Sequence, residues 1–508
     1  MSRRWAAVVI FASLVAAAVA LDRGQPALDR RAKVRAGALA GGPDLAGFGP
    51  TAAPAGSLDS VWYCAGSTAT AGGAANATLV VSNPGARPVT GRIIVVPSRG
   101  ATRSQPLIVG PRGRVDVRLT DIVDAPYAAA TVQLAGGEAI VERAVRGPDG
   151  YDVASCASSA SDTWFFASGA TTRDARETLL LYNPFPDAAV ADLSFATVDG
   201  TRRPEALQGV PVPGGSVVAA DVSAQVTVRA MVSAVVRTRT GRLVVDRIQT
   251  FDGTGAATTE AEATREPFRR RGVTLAPGVP SPRPTWAFPM GAKRSGVHER
   301  YVVYNPDPAS VAKVDLAITL DDPQRNGQLY PFRLDVGPGS FQVLDLDREP
   351  RVPAGIGHSA VVSSDRPVVA ERLIDTVDPF SSADSASSSG ASVMAPTWVV
   401  GAGSVTRRVD ERLMLLNPGP RAVRVRLRAY GGGRLRDIGV PDTVVRAGEH
   451  RLLSLRGKLD ERVVSVLLRG DGPFVAERWV LARGDAGNGT ALGVPLAAGL
   501  EAIARSGG

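Results

Sequence analysis

The 508-residue chain has little of what catalytic centres are usually built from: three histidines, two cysteines, and no G-x-S-x-G, H-E-x-x-H, P-loop or C-x-x-C motif. His298, His358 and His450 fall in separate segments, so neither a metal triad nor a Ser-His-Asp set converges. Asp321 and Asp322, in TLDDPQRNG, read as a solvated turn before proline in preference to a calcium site. The expectation is a non-enzymatic protein with no catalytic, cofactor-binding or metal-ligating residues and no cofactor. Lysine is scarce as well, four against 54 arginines, which reads as the coding bias of a GC-rich bacterial genome. After the first 21 residues no apolar run approaches a membrane span. Finally, 55 glycines and 37 prolines are more than a helical protein tolerates, so the chain should be rich in strands and turns.

A formal charge of +9 raises the question of nucleic acid, but its distribution argues against it. The segments carry +4 (1–57), +1 (58–156), +1 (157–284), −4 (285–396) and +7 (397–508), so the basic character belongs to the two ends. The N-terminus sets the compartment. MSRR is followed by 17 uncharged residues, Trp5 to Leu21, about 25 Å of helix at about 1.5 Å per residue. Ala18-Val19-Ala20 is a cleavable pattern, so 1–21 is either a signal peptide or a membrane anchor, and both place the remainder outside the cytoplasm. Residues 22–57, with Arg30, Arg31, Lys33 and Arg35, read as a flexible basic spacer.

Three landmarks then recur four times in the same order. A tryptophan opens each unit (Trp62, Trp164, Trp286, Trp398), and an apolar strand ending in Asn-Pro follows, with Asn83, Asn183, Asn305 and Asn417 lying 21, 19, 19 and 19 residues later. Some 59 to 66 residues beyond comes an acid-arginine strand: AIVERAV (Glu142), LVVDRIQ (Asp246), VVAERLI (Glu371) and FVAERWV (Glu477). Within units the period is two. In AVRVRLRAY, Val423, Val425 and Leu427 alternate with Arg424, Arg426 and Arg428. Roughly seven short strands per unit predict an all-β chain of four tandem immunoglobulin-like antiparallel sandwiches at 58–156, 157–251, 285–378 and 397–508. The apolar-poor stretches 252–284 and 379–396, the second rich in serine, read as linkers.

This pattern of Asn-Pro strand, Pro-Gly or Ala-Gly turn and S-D-x-P-V-V-x-E-R closing strand resembles an actinobacterial family of secreted or membrane-anchored proteins of uncharacterised function. The resemblance spans roughly residues 58–500 and implies architecture, with no catalytic residues to carry over. It also implies a second functional reading, an accessory subunit of a cell-envelope polysaccharide and glycosyltransferase system.

The landmarks read as structural. Asparagine before proline makes turns, and the tryptophans sit on apolar strands that pack a core. Glu371 and Arg372 lie on opposite faces of one strand, so the inward member needs a backbone amide or a cross-strand arginine. The same pairs in four copies could otherwise be four equal ligand sites. Cys64 and Cys156 bracket the first unit and read as a disulfide, with free thiols or a metal pair the less favoured readings. In the fourth unit Arg424, Arg426 and Arg428 line a wet face; either Asp437, Asp460 or Glu461 neutralises them, or they grip an anionic partner. The expectation is an extracytoplasmic, membrane-tethered or secreted scaffold or binding protein of the bacterial envelope. Its expected partner is an envelope protein or anionic envelope polymer, not nucleic acid. A glycan-active enzyme would need two carboxylates facing a cleft.

Overall fold

The computed structural model describes residues 49–254, 270–321, 327, 329–376, 384–407, 409–459, 461–482 and 487–504. The expected signal or anchor segment, and the spacer as far as residue 48, lie outside the described residues. Among the described residues no helix is long and apolar enough to cross a membrane.

The chain is mostly β, built from several antiparallel sheets. In the first repeat one sheet runs in the order Arg103–Val109, Val89–Pro97, Ala125–Ala135, Ser60–Ala69, and the other in the order Gly113–Arg118, Asn76–Asn83, Ile140–Arg146, Tyr151–Ser155. The other three repeats reproduce this order. In the third and fourth, the strand central to the first sheet runs on without a break into the second, as Gly357–Thr376 and Glu461–Ala482. Alternation produces the layers: Val423–Gly431 buries Val423, Val425, Leu427 and Ala429 while Arg424 and Arg426 stay exposed.

All four tryptophans are core residues, 1 to 2% exposed. The indole N–H groups of Trp164, Trp286 and Trp398 donate to Leu243, Val368 and Phe474 carbonyls at 2.8–2.9 Å, tying the opening strand to the approach of the acid-arginine strand. The four asparagines make one turn four times. Their Nδ2 donates to the carbonyls of Arg87, Asp187, Ser310 and Arg421 at 2.6–2.8 Å, and their Oδ1 accepts from the amide two residues on at 2.9–3.1 Å. Each is buried with its amide occupied, so the corner is structural.

Cys64 and Cys156 form a disulfide that ties the opening strand of the first repeat to the residue just past Tyr151–Ser155. Iodoacetamide should therefore leave both cysteines of unreduced, envelope-derived protein unmodified, as read by mass spectrometry. Alkylation of either would mean that the bond is not made in the cell.

Two corrections concern the organisation. The stretches read as linkers contain strands, Arg271–Pro277 and Asp384–Ser389; within them 255–269 and 377–383 lie outside the described residues. Each is the last strand of the preceding repeat, pairing with its acid-arginine strand as Tyr151–Ser155 and Asn488–Leu492 do in the first and fourth. These four strands pack against one another in the cyclic order one, two, three, four, one. The repeats are thus not a string: Ala46–Gly508 is one compact unit, a ring of four around a shared axis. The two ends of the ring meet in backbone. The Ala52 N–H donates to Pro495 at 3.0 Å, and the Ala497 N–H donates to Ala52 at 3.1 Å.

Candidate functional site

The acid-arginine pairs are the clasps of this ring. Arg143 meets Asp246 of the second repeat at 2.6 Å, Arg247 meets Glu371 of the third at 3.1 Å, Arg372 meets Glu477 of the fourth at 2.5 Å, and Arg478 returns to Glu142 of the first at 2.8 Å. Because side chains alternate, the acid of each strand faces the preceding repeat and the arginine faces the next. All eight side chains are buried. The partner is therefore not a cross-strand arginine of the same repeat. Three of the acids also accept backbone amides of the neighbour's opening segment: Asp246 from Gly66 at 3.1 Å, Glu371 from Ala167 at 2.9 Å, and Glu142 from Gly401 and Ala402 at 2.6 and 2.7 Å. A Cβ at Gly401 would stand 2.8 Å from Glu142 Oε2, so the close approach requires glycine there. Both members of every pair are thus engaged between repeats.

A second set of buried acids was legible in the sequence but not singled out. Glu177, Glu299 and Glu411 each stand six residues before the Asn-Pro asparagine, in ETLLLYNP, ERYVVYNP and ERLMLLNP, where the first repeat has Ala77. Glu299 accepts from the Ala292 amide at 2.8 Å and lies 3.4 Å from His358; Glu411 accepts from Ser404 at 2.8 Å. Neither oxygen of Glu177 has a hydrogen-bond partner among the described residues, and burial, opposed by Arg247 and reinforced by Glu371, pushes its carboxyl up to about 8. The remaining histidines pair apart from one another, His298 with Asp347 at 2.5 Å and His450 with Asp321 at 3.0 Å; Asp322 lies outside the described residues.

At the axis the four-fold repetition is broken by two buried acids, Asp384 and, at the position two residues farther along the axial strand of the first repeat, Asp152. Five residues before the register partner of each clasp acid stand Gly150, Gly272, Asp384 and Gly487. A Cβ on those glycines would lie 2.7, 1.9 and 2.2 Å from the Asp384 carboxyl oxygens, so one carboxyl occupies the space that three glycines vacate. Burial raises the pKa of Asp384 well above the carboxylate range despite amide bonds from Asn488 and Ser385. Farther along the axis, Ala154, Ala276, Ser388 and Ala491 wall a cavity of about 80 Å³, room for a few waters.

A groove of about 490 Å³ on the fourth repeat has the dimensions of a binding site, lined by Arg424, Arg426, Arg428, Arg469, Asp442 and Asp471 over Leu435 and Leu467. It includes all three arginines singled out by alternation, and adds Arg469, which strand pairing sets directly opposite Arg426 on the same face. Two of the four are neutralised. Arg426 grips Asp442 with Nε and Nη2 at 3.0 and 2.7 Å, holding that carboxyl below its ordinary value, and Arg428 meets Asp437 at 3.4 Å. Asp437 was an anticipated counter-charge and Asp442 was not; Asp460 and the Glu461 side chain lie outside the described residues. Asp471 accepts the Arg424 backbone N–H at 2.8 Å.

Residues 148–395 match the model of a family of unknown function, DUF5719; the match runs from the axial strand of the first repeat to the opening of the fourth. No curated protein matches the chain. Among solved structures, Thermotoga maritima 1070 is 20% identical over 22% of this chain and 93% of its own, with a TM-score of 0.19. The Anabaena sensory rhodopsin transducer is 22% identical over 18% of this chain and 92% of its own, with a TM-score of 0.16. Similarities at these scores carry no inference about fold or function.

Proposed function

We propose that this protein is a non-catalytic, extracytoplasmic scaffold of the bacterial envelope, its four repeats of immunoglobulin-like layering closed into a rigid ring that presents an anion-binding groove. The observation that carries the reading is the groove on the fourth repeat, where four arginines share about 490 Å³ with fewer acids over an apolar floor. Like charges set opposite one another on a strand pair are unfavourable, and an anionic partner relieves them. The disulfide and the basic, apolar N-terminal segment support the compartment. The partner class is an anionic envelope polymer.

Attraction of this kind weakens as salt screens it, with a Debye length of about 8 Å at physiological ionic strength. The full-length protein should be retained by envelope fractions at low ionic strength and released by a few hundred millimolar salt, roughly where the Debye length falls below the size of the groove. Arg424→Gln, Arg426→Gln and Arg428→Gln together should abolish that retention. Unchanged binding by the triple variant would dispose of the reading.

A further inference from the structure

Only part of the arginine row is available to a ligand. We propose that the anion seat is a two-arginine clamp, Arg424 and Arg469, that takes a phosphodiester group of a polymer, with Arg426 and Arg428 serving as neutralised walls; the inference rests on the binding role given above. Four observations lead there. Arg426 already spends two N–H groups on Asp442, and Arg428 is paired with Asp437, whereas neither the Arg424 nor the Arg469 side chain makes a direct ion pair among the described residues, Arg424 acting on Asp442 only at longer range. Both line the same groove, one on each of two neighbouring strands. Since Arg426 opposes Arg469 and Val425 opposes Gly470, Arg424 and Arg469 are diagonal neighbours on one face, roughly 7–8 Å apart at the backbone and within joint reach of one anion. The other carboxylate of the groove, Asp471, accepts the Arg424 backbone N–H and so fixes the strand edge on which Arg424 stands.

The class of anion follows from how two guanidinium forks approach it. Each fork offers parallel N–H donors in its own plane. A planar carboxylate presents both oxygens in one plane and is satisfied by a single fork. A tetrahedral phosphodiester keeps two non-bridging oxygens and lets forks arrive from two strands. The partly exposed Leu435 beneath suits the uncharged carbon segments between phosphates, and the open groove suits a chain that passes through it. The clamp bears two charges, so each seated phosphodiester leaves a positive excess that attracts the next unit along the polymer.

The experiment measures binding of the full-length protein to synthetic poly(glycerol phosphate) and to polygalacturonate at fixed low ionic strength, comparing wild type with two variants that each remove two positive charges. Arg424→Gln with Arg469→Gln should weaken poly(glycerol phosphate) binding about tenfold or more, the loss expected for charge-assisted hydrogen bonds. Arg426→Gln with Arg428→Gln should weaken it at least about threefold less than the clamp variant does, because Asp442 and Asp437 already offset those two charges. Polygalacturonate should bind more weakly than poly(glycerol phosphate) to the wild type. Equal losses in the two variants would mean diffuse attraction and overturn the clamp, and equal binding of both polymers would overturn the phosphodiester assignment. If the wild type bound neither polymer nor envelope fractions, the anion-binding role itself would fall.

Discussion

Arg372→Met should lower the stability of the protein by about 3–5 kcal/mol, the usual consequence of stranding one member of a buried ion pair. Arg372 and Glu477 are 0 and 1% exposed, so the carboxylate left behind has no water to turn to. Burial already pushes the Glu477 carboxyl up, against the pull of Arg372 and the Ser388 hydroxyl. Adding Glu477→Gln to Arg372→Met should return most of the loss, because the amide keeps a partner for Ser388 and no charge remains. The clasp is not saturated: Nε and Nη1 of Arg372 and Oε2 of Glu477 have no hydrogen-bond partner among the described residues. Such a pair decides which repeat sits beside which more than it adds net stability. Urea unfolding measures both variants. A single variant within about 1 kcal/mol of wild type, the scale of an exposed pair, would show that the clasp is not buried in solution.

Raising the pH from 5 to 8.5 should weaken the wild type relative to Glu177→Gln by on the order of 4 kcal/mol, at about 1.36 kcal/mol per unit of pKa displacement. Glu177 titrates at about 8 in the folded chain and near the ordinary glutamate value when unfolded, so folding favours its protonated form. Its contribution is complete below the unfolded value, near 4.3, and is lost as the pH climbs through 8. The glutamine variant cannot ionise at this position and lacks that part of the loss. Other buried acids with raised values, Asp152, Asp384, Glu411 and Glu477, bend both curves alike, so the difference between the two proteins isolates Glu177. Parallel stability curves for the two proteins from pH 5 to 8.5 would show that Glu177 is hydrated in solution.

Much of the repeat was legible because it is local. Asn83, Asn183, Asn305 and Asn417 make their turn with amides and carbonyls mostly within five residues, and a period of two separates Val425 from Arg426 whatever lies beyond the sheet. Burial of the tryptophans and pairing of the two cysteines followed from strand position within one repeat. Glu177, Glu299 and Glu411 stood in the sequence at a fixed distance from asparagine, but a glutamate at a strand start reads as solvated until the opposing surface is known.

What covers the second face of a strand is not a property of the strand. Alternation placed Glu371 and Arg372 on opposite sides, and only closure of the ring revealed that those sides meet two different repeats. The same closure explains why DSASSS at Asp384–Ser389 reads as a linker and folds as a buried strand. Low hydrophobicity usually marks exposure to water. Here it marks crowding, because four strands converging on one axis leave room mostly for small side chains, with two carboxyls, Asp152 and Asp384, buried among them. The groove divides in the same way: its arginine row was determined by sequence period, whereas the pairing of Arg426 with Asp442 and the arrival of Arg469 from another strand were decided by sheet register between residues more than 15 positions apart.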